Sequence, residues 1–237
     1  NYQFQFKEYK SRFLNTTPYF TEYVRRYLLE KYGEKLTYGG GLVVYTTVNV
    51  SLYKAAERAL LKGLKELERR RGYKGPLLHL SDDEIDRFID EESKDFLGLE
   101  ELEKGRLYKG VVISVDRKRR RYDVVVGPFH GYIPFSSIKW ARKLIDVDGD
   151  VIAYRRPWNV LKRGDVIRVS VKGIDGDRYI FDLEQDLEVQ GAIYALDLRD
   201  WEIRVVLGGR NFKESQFNRV LQARRQPGSA FKPIIYS

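Results

Sequence analysis

The sequence predicts an α+β fold in which a closed or nearly closed five-stranded β-barrel stands between segments that mix helices and strands. Three observations support this prediction. Five stretches rich in β-branched residues follow residue 105, two amphipathic helical patterns precede them, and one alternating hairpin comes after them. The 237 residues are enough for one large domain or two small ones.

The first helix of the opening segment, residues 1–78, has clear start and stop signals. Alternating aromatic side chains in residues 2–6 indicate a short strand before it. We expect Thr17 to cap the helix, Pro18 to occupy its first position and Gly33 to end it. Its predicted apolar face consists of Phe20, Val24, Tyr27 and Leu28.

A strand is predicted at Leu42–Val48, where β-branched and aromatic residues follow three glycines. Because unpaired strand edges are costly, we expect it to pair with the hairpin at 190–207. A second helix is predicted from about Leu52 to Arg70, with basic residues at its C-terminal end, where the helix dipole favours them. One side of this helix carries Ala56, Leu60, Leu64 and Leu67.

Residues 79–105 are interpreted as an acidic helical connector. Ser81 and Glu84 have the spacing of a capping box, which predicts a helix start. The buried side of this helix is predicted to be Ile85, Phe88 and Ile89. Three carboxylates lie in or near the first turn, but their spacing matches no calcium loop, and capping predicts acids there. They are Asp82, Asp83 and Asp86.

Residues 106–186 alternate β-type stretches with turn signals. The predicted strands are Leu107–Val115, Tyr122–Val126, His130–Phe135, Asp165–Ile174 and Arg178–Leu183. A short helical stretch is expected near Ser136–Leu144. Five short strands with one helix fit the Greek-key barrel known as the OB fold. Lys-Gly-Val-Val at 109–112 and Gly-Tyr-Ile-Pro at 131–134 also resemble OB modules of RNA-binding proteins.

The net charge of +9 has its densest focus at residues 117–121, which are Arg-Lys-Arg-Arg-Arg. Such a run can bind nucleic acid, anionic lipid or an acidic polymer. Apolar alternation on both sides favours a simpler interpretation, a solvated hairpin tip. With no cysteine, and with His79 and His130 far apart in sequence, we predict neither a metal site nor a cofactor.

The last segment, residues 187–237, begins with a predicted hairpin and ends in a loop with a candidate nucleophile. The hairpin strands are Gln190–Leu198 and Trp201–Leu207. Ser229 and Lys232 have the Ser-x-x-Lys spacing, which puts both side chains on one helical face, where a desolvated neutral amine can take the serine proton. The same pattern also occurs at Ser51–Lys54 and Ser136–Lys139, so the spacing alone carries little information.

The surroundings distinguish the third motif. Gly-Arg-Asn-Phe at 209–212, Ser-Gln-Phe-Asn-Arg at 215–219 and Gln-Pro-Gly-Ser-Ala-Phe-Lys-Pro at 226–233 resemble the start of the transpeptidase domain of class A penicillin-binding proteins, the membrane-anchored, bifunctional cell-wall synthases of bacteria. Tyr-Val-Arg-Arg-Tyr-Leu-Leu-Glu-Lys-Tyr-Gly at 23–33 and Gly-Gly-Leu-Val-Val-Tyr-Thr-Thr-Val at 40–48 are similar to their interdomain linker.

The resemblance implies a domain order. Residues 1–78 would be the linker between glycosyltransferase and transpeptidase domains, and 79–105 the connector. Residues 106–186 would be the OB-like insert that 1A-type members carry, and 187–237 an incomplete transpeptidase sheet.

The resemblance also implies a function for the candidate site. In the family, the serine matching Ser229 is acylated by the D-Ala-D-Ala end of a stem peptide or by a β-lactam, and the lysine matching Lys232 assists proton transfer. The family's Ser-x-Asn and Lys-Thr/Ser-Gly motifs are absent, as are its glycosyltransferase motifs. We therefore expect a piece of a longer protein that is inactive by itself.

The longer protein is expected to be held in the plasma membrane by a single N-terminal anchor, with this region outside the cytoplasm. The OB-like insert would then be an accessory or docking module for a cell-envelope partner protein.

The alternative is an RNA-binding OB protein. Such proteins stack bases on exposed aromatic side chains of strands two and three, here Phe129, His130, Tyr132 and Phe135. That interpretation gives no role to the linker or to the C-terminal motifs, so we expect no specific nucleic-acid binding.

Overall fold

The computed structural model describes residues 16–145, 151–154 and 156–236. The strand predicted at residues 2–6 lies outside them. Lys65–Glu188 form one compact unit, and the described residues up to Leu64 and from Val189 form the other. Among the described residues, no helix combines the length and the apolar character that crossing a membrane requires.

Helices and strands are mixed along the chain, as the α+β prediction requires. The helices are α1 (Pro18–Gly39), α2 (Val50–Arg71), α3 (Asp82–Ser93), α4 (Arg219–Gln222) and α5 (Lys232–Tyr236). The short 3-10 helices of the described residues are Lys94–Phe96, Lys139–Arg142, Pro157–Asn159 and Gly228–Phe231. The strands are β1 (Leu78–His79), β2 (Leu107–Asp116), β3 (Arg121–Val126), β4 (Phe129–Pro134), β5 (Lys143–Ile145), β6 (Val151–Ala153), β7 (Asp165–Asp175), β8 (Arg178–Glu184), β9 (Ile193–Asp197) and β10 (Glu202–Leu207).

Five strands close into a barrel, which confirms the prediction. Their order is β7-β2-β3-β4-β8, and a second pairing of β8 with β7 completes the ring. Neighbours run antiparallel except β4 and β8, which run parallel. The short strand β1 pairs antiparallel with the first two residues of β7, Asp165 and Val166. The bounds of each of the five predicted barrel strands lie within one residue of the observed ones.

Alternate residues of the barrel strands point inward, as the period of two requires. Val124, Ile133, Ile167 and Phe181 are fully buried there. At Gly131 a Cβ atom would overlap the Phe181 ring and the carbonyl oxygen of Tyr179, so only glycine allows β4 and β8 to approach this closely.

Helix α3 covers part of the outer surface of the barrel. Its capping box is formed as predicted: the Ser81 amide donates to the Glu84 carboxylate at 2.9 Å. Ile85 is buried in a cluster with Val111 and Val125, while Phe88 and Ile89 pack at its edge. The predicted apolar side of this helix is confirmed.

The helix predicted near Ser136–Leu144 is wrong in length. Only the 3-10 helix Lys139–Arg142 forms, and Leu144 belongs to β5, which pairs with β6. Ile138 and Ala141 are buried in the barrel core at this point. A single turn is enough to bury both side chains, and the chain then leaves as a strand.

Helix α1 begins at Pro18, as predicted, but the side chain of Thr17 at the N-cap position makes no capping hydrogen bond. Gly33 interrupts it with φ 71° and ψ 171°, but helical structure resumes and continues to Gly39, so the predicted end is too early. Tyr27 is exposed, contrary to the predicted apolar face. The buried residues of α1 lie in its first turn, Tyr19 and Phe20, where the helix packs against β10.

The strand predicted at Leu42–Val48 is absent: this stretch has no regular secondary structure. Its end does reach the hairpin, since the Thr47 hydroxyl donates to the Ile203 carbonyl at 2.7 Å. The Asn49 amide donates to the Arg204 carbonyl at 3.1 Å. Strand propensity mostly reflects packing against neighbouring strands, and Val43 and Tyr45, 77% and 93% exposed, lack such neighbours among the described residues.

The predicted hairpin forms from β9 and β10, with Trp201 in the turn at φ 59°. Val205, Val206 and Leu207 of β10 are buried with Tyr53 of α2, the helix predicted from Leu52 to Arg70. Hairpin and helix therefore share one small core.

The C-terminal end of α2 belongs to the barrel unit. Glu184 of β8, 4% exposed, forms ion pairs with Lys65 and with Arg69, the latter at 3.5 Å. The Ser170 hydroxyl donates to the same carboxylate at 2.9 Å. A buried carboxylate needs such partners, and here they hold the end of the helix against β7 and β8.

Candidate functional site

Ser229 and Lys232 lie on one turn of the chain. Ser229 is in the 3-10 helix Gly228–Phe231, Lys232 begins α5, and the Lys232 amide donates to the Ser229 carbonyl. Both side chains are exposed. No ion pair or hydrogen bond joins either side chain to another described residue. A serine without a base in contact with its hydroxyl is a poor nucleophile, so this turn holds two correctly spaced residues and not an activated site.

The other two Ser-x-x-Lys pairs are equally exposed. Ser51 and Lys54 lie in the first turn of α2, whereas Ser136 precedes the 3-10 helix of the barrel and Lys139 is its first residue. Exposure therefore does not separate the three motifs.

The basic run forms the tip of the β2–β3 hairpin, as predicted. Residues 117–120 make the turn and are exposed. Arg121 instead begins β3, where its Nε lies 3.1 Å from the Asp123 carboxylate and its guanidinium lies over the Tyr132 ring at 4.8 Å. The run thus divides into an exposed tip and one residue that belongs to the sheet.

The aromatic side chains proposed for base stacking are mostly engaged within the protein. Phe135 is 3% exposed and belongs to the core. Phe129 packs edge-on against Phe96 and Tyr179, with centroids 5.8 and 5.7 Å apart.

The side chain of Tyr132 is also in contact with other residues of the protein. Arg121 covers its ring, and its hydroxyl donates to Asp175 at 2.9 Å, a hydrogen bond that raises the pKa of Tyr132. Of the four candidates, His130 alone is exposed. This face of the barrel lacks the open aromatic platform that single-stranded nucleic acid needs, which disfavours the RNA interpretation.

Neither histidine lies in a cluster suited to a metal. His79 Nδ1 is 2.8 Å from the Asp165 carboxylate, while His130 lies on β4. The part of the chain described by the structure contains no group of three or more histidine, aspartate and glutamate side chains arranged around a common point.

Sequence reasoning missed a basic cleft at the hairpin tip. Arg119 and Arg120 from the tip meet Lys139 and Arg142 from the 3-10 helix, beside Pro157. The run at 117–121 was visible in the sequence, but the distant residues that meet it are brought there by barrel closure alone.

Comparison with known proteins identifies the family. Residues 73–204 match the family model of the penicillin-binding protein OB-like domain. The chain is 32% identical over 224 residues to penicillin-binding protein 1A of Pseudomonas aeruginosa, covering 93% of this chain and 25% of the relative. For the protein of the same name from Aquifex aeolicus, identity is 30%, with 97% of this chain and 26% of the relative covered.

The fold has been seen before in a crystal structure of penicillin-binding protein 1A from Haemophilus influenzae. The TM-score is 0.61 at 22% identity, covering 98% of this chain and 31% of that one. The chain spans about a quarter of the length of the curated relatives it matches. From the family model and the curated relatives together, this chain belongs to the class A penicillin-binding proteins, and its barrel is their OB-like domain.

Proposed function

We propose that this chain is the interdomain and OB-like part of a bifunctional peptidoglycan synthase. The longer protein polymerises glycan strands in one domain and cross-links stem peptides by D,D-transpeptidation in another. It is anchored in the plasma membrane by a single N-terminal segment, and this region lies outside the cytoplasm. The name and length of the relatives support this proposal, since each has room for both domains beyond the part matched here.

In that synthase, Ser229 is the acylated nucleophile and Lys232 assists its deprotonation. The observation that carries this assignment is their place on one helical turn, at the end of a stretch similar to the start of a transpeptidase domain. Acylation also requires hydrogen-bond donors for the oxyanion and a cleft that excludes water from the lysine. The two side chains are exposed here, and in the proposed synthase the transpeptidase domain supplies these parts.

The OB-like barrel acts as an accessory module that docks a protein of the cell envelope. Support comes from the aromatic side chains of β4. The Arg121 guanidinium covers the Tyr132 ring and the Tyr132 hydroxyl hydrogen-bonds to Asp175, so this ring is not open for a nucleic-acid base to stack on. A docking module needs a rigid scaffold rather than a reactive group, and a closed barrel provides one.

Substitution in the full-length synthase tests the assignment. We expect Ser229→Ala to abolish covalent labelling by a fluorescent penicillin and transpeptidation, while glycan polymerisation persists on its separate domain. Lys232→Ala should be nearly as damaging to labelling, because catalytic residues that act as a unit are not additive.

The matched control is Ser51→Ala, which removes an exposed serine from another Ser-x-x-Lys pair and should leave labelling unchanged. Undiminished labelling of Ser229→Ala would contradict the proposal. The 237-residue chain alone should give no adduct.

A further inference from the structure

A cleft on the barrel unit has cations as the only charged residues in its lining. It has a volume of about 590 Å³ and lies between the β2–β3 hairpin tip and the 3-10 helix that follows β4. Arg119, Arg120, Lys139 and Arg142 line it together with Ser136 and Pro157, and we call it the Arg120 cleft. Half of its eight lining residues are cations, and none carries a carboxylate.

Two of the four cations, Arg120 and Lys139, have no counter-charge among the described residues. Arg119 lies 3.4 Å from Asp116 and is 70% exposed. Arg120 and Lys139 form no ion pair with any described residue. Clustering cations without counter-charges destabilises the folded protein through repulsion, and a bound anion relieves that repulsion.

The walls of the Arg120 cleft are fixed by hydrogen bonds to backbone carbonyl groups. The Phe135 amide donates to the Arg120 carbonyl at 2.9 Å, which ties the hairpin tip to the end of β4. The hydroxyl of fully buried Tyr122 donates to the Pro157 carbonyl at 2.6 Å. Arg142 Nε donates to the Tyr154 carbonyl at 3.0 Å. A ligand therefore meets a backbone frame that needs no reordering, which favours binding.

The chemistry of the lining favours phosphate. Arginine presents a planar set of donors that matches phosphate oxygens in pairs, and Ser136 adds a hydroxyl donor. A terminal phosphate group carries about −1.5 to −2 charges, against one for each carboxylate. A compact chain of phosphates thus neutralises several cations within a small volume, as an acidic peptide of similar size does not.

We propose that the Arg120 cleft is a binding site for a compact ligand with two or three linked phosphate groups. The concave shape selects such a ligand over a flat anionic membrane surface. The proposed role of this cleft is binding, without catalysis.

A neighbouring cleft provides the matched control. It lies on the other side of the Pro157–Asn159 turn, has a volume of about 490 Å³, and is lined by Arg117 and Lys162 among others. There Arg117 lies 5.8 Å from the Trp158 ring centroid, and the third cation, Arg163, already pairs with Asp82 at 2.6 Å. Removing Arg117 and Lys162 changes the net charge by the same amount as removing Arg120 and Lys139.

Calorimetric titration of the 237-residue chain with sodium tripolyphosphate at 0.15 M salt tests the site. We expect one binding site, weakened about 100-fold in Arg120→Gln/Lys139→Gln, because each charge-assisted hydrogen bond contributes about tenfold. Lys139→Gln alone, at an exposed position with no structural role, should weaken binding about tenfold. The control Arg117→Gln/Lys162→Gln should stay within about threefold of the wild type, because these two residues line the neighbouring cleft and their remaining attraction for the ligand acts through salt-screened solvent.

Four results would overturn the proposal. They are no binding by the wild type, equal losses in both double variants, equal affinity for a decaglutamate peptide, and tighter binding to phosphatidylglycerol vesicles than to tripolyphosphate. Matching circular dichroism spectra of all variants confirm that the fold is retained.

Discussion

Replacing Tyr122 with phenylalanine should destabilise the barrel unit without changing its shape. Tyr122 is fully buried, and its hydroxyl makes two hydrogen bonds to one loop. It donates to the Pro157 carbonyl at 2.6 Å and accepts from the Leu161 amide at 3.2 Å. Phenylalanine fills the same space around the ring, so the loss is confined to these two bonds.

The size of the expected loss of stability follows from the two backbone groups that lose the Tyr122 hydroxyl as their hydrogen-bond partner. The Leu161 amide is buried, and an unsatisfied buried donor costs about 1–3 kcal/mol. Pro157 is only half-buried, so water can replace part of the second bond. We expect a total loss of about 2–3 kcal/mol, or about 6–10 °C in Tm for a unit of this size.

Differential scanning calorimetry measures the loss, and amide hydrogen exchange of β2–β4 assigns it to the barrel unit. The control is Tyr132→Phe, the same substitution at a side chain whose hydroxyl makes one exposed hydrogen bond, to Asp175. It should cost less than about 0.5 kcal/mol. Equal effects of the two substitutions would refute the reasoning, because burial would then not decide the cost.

Two further predictions concern the same barrel. Burial raises the pKa of Tyr122 to about 12, so the folded state favours the neutral phenol. The contribution of Tyr122 to stability is therefore complete below about pH 10 and is lost as the pH rises toward 12. Equilibrium unfolding should show a smaller loss of stability over this pH range in Tyr122→Phe than in the wild type. Gly131→Ala should cost about 3 kcal/mol or more, since the added Cβ meets the Phe181 ring and the Tyr179 carbonyl. Gly173→Ala, where no atom lies within 4 Å of the added Cβ, should stay within about 0.5 kcal/mol, and similar losses for both would contradict the close approach of β4 and β8.

The barrel could be predicted from sequence because its signals are local. Each strand shows alternation over six or more residues, as in Leu107–Asp116, and glycines such as Gly131 mark the close approaches. Ser81 and Glu84 likewise define the start of α3 within four residues. Closure then follows, because five such strands have few other ways to bury their apolar faces.

The wrong predictions concern segments whose structure is decided by tertiary contacts. Residues 42–48 have strand composition, but they form a ladder only if a partner edge packs along their whole length. The observed contacts with the hairpin are at the end of the stretch, where Thr47 and Asn49 hydrogen-bond to it and Val48 packs against its core. Tyr27 has the spacing of a core residue, yet the contact that buries α1 lies about two turns earlier, at Tyr19 and Phe20. Helical periodicity gives the direction of a face but not how far along the helix that face is covered.

Of the two candidate sites, one could be predicted from the sequence and the other could not. Ser229 and Lys232 could be selected from the sequence because their neighbours resemble a known stretch, whereas the spacing occurs three times. The Arg120 cleft could not be selected, because its walls come from residues 119–120, 139–142 and 157, which only the folded barrel brings together.

Mapping the covalent penicillin adduct in the full-length synthase tests the central claim most directly. After labelling and trypsin digestion, mass spectrometry should find the penicilloyl group on Ser229, in the peptide that begins at Gln226. Little or none should be found on Ser51 or Ser136, the serines of the two other Ser-x-x-Lys pairs. A stoichiometric adduct on any other residue, with Ser229 unmodified, would contradict the assignment of this chain's last turn to a transpeptidase active site.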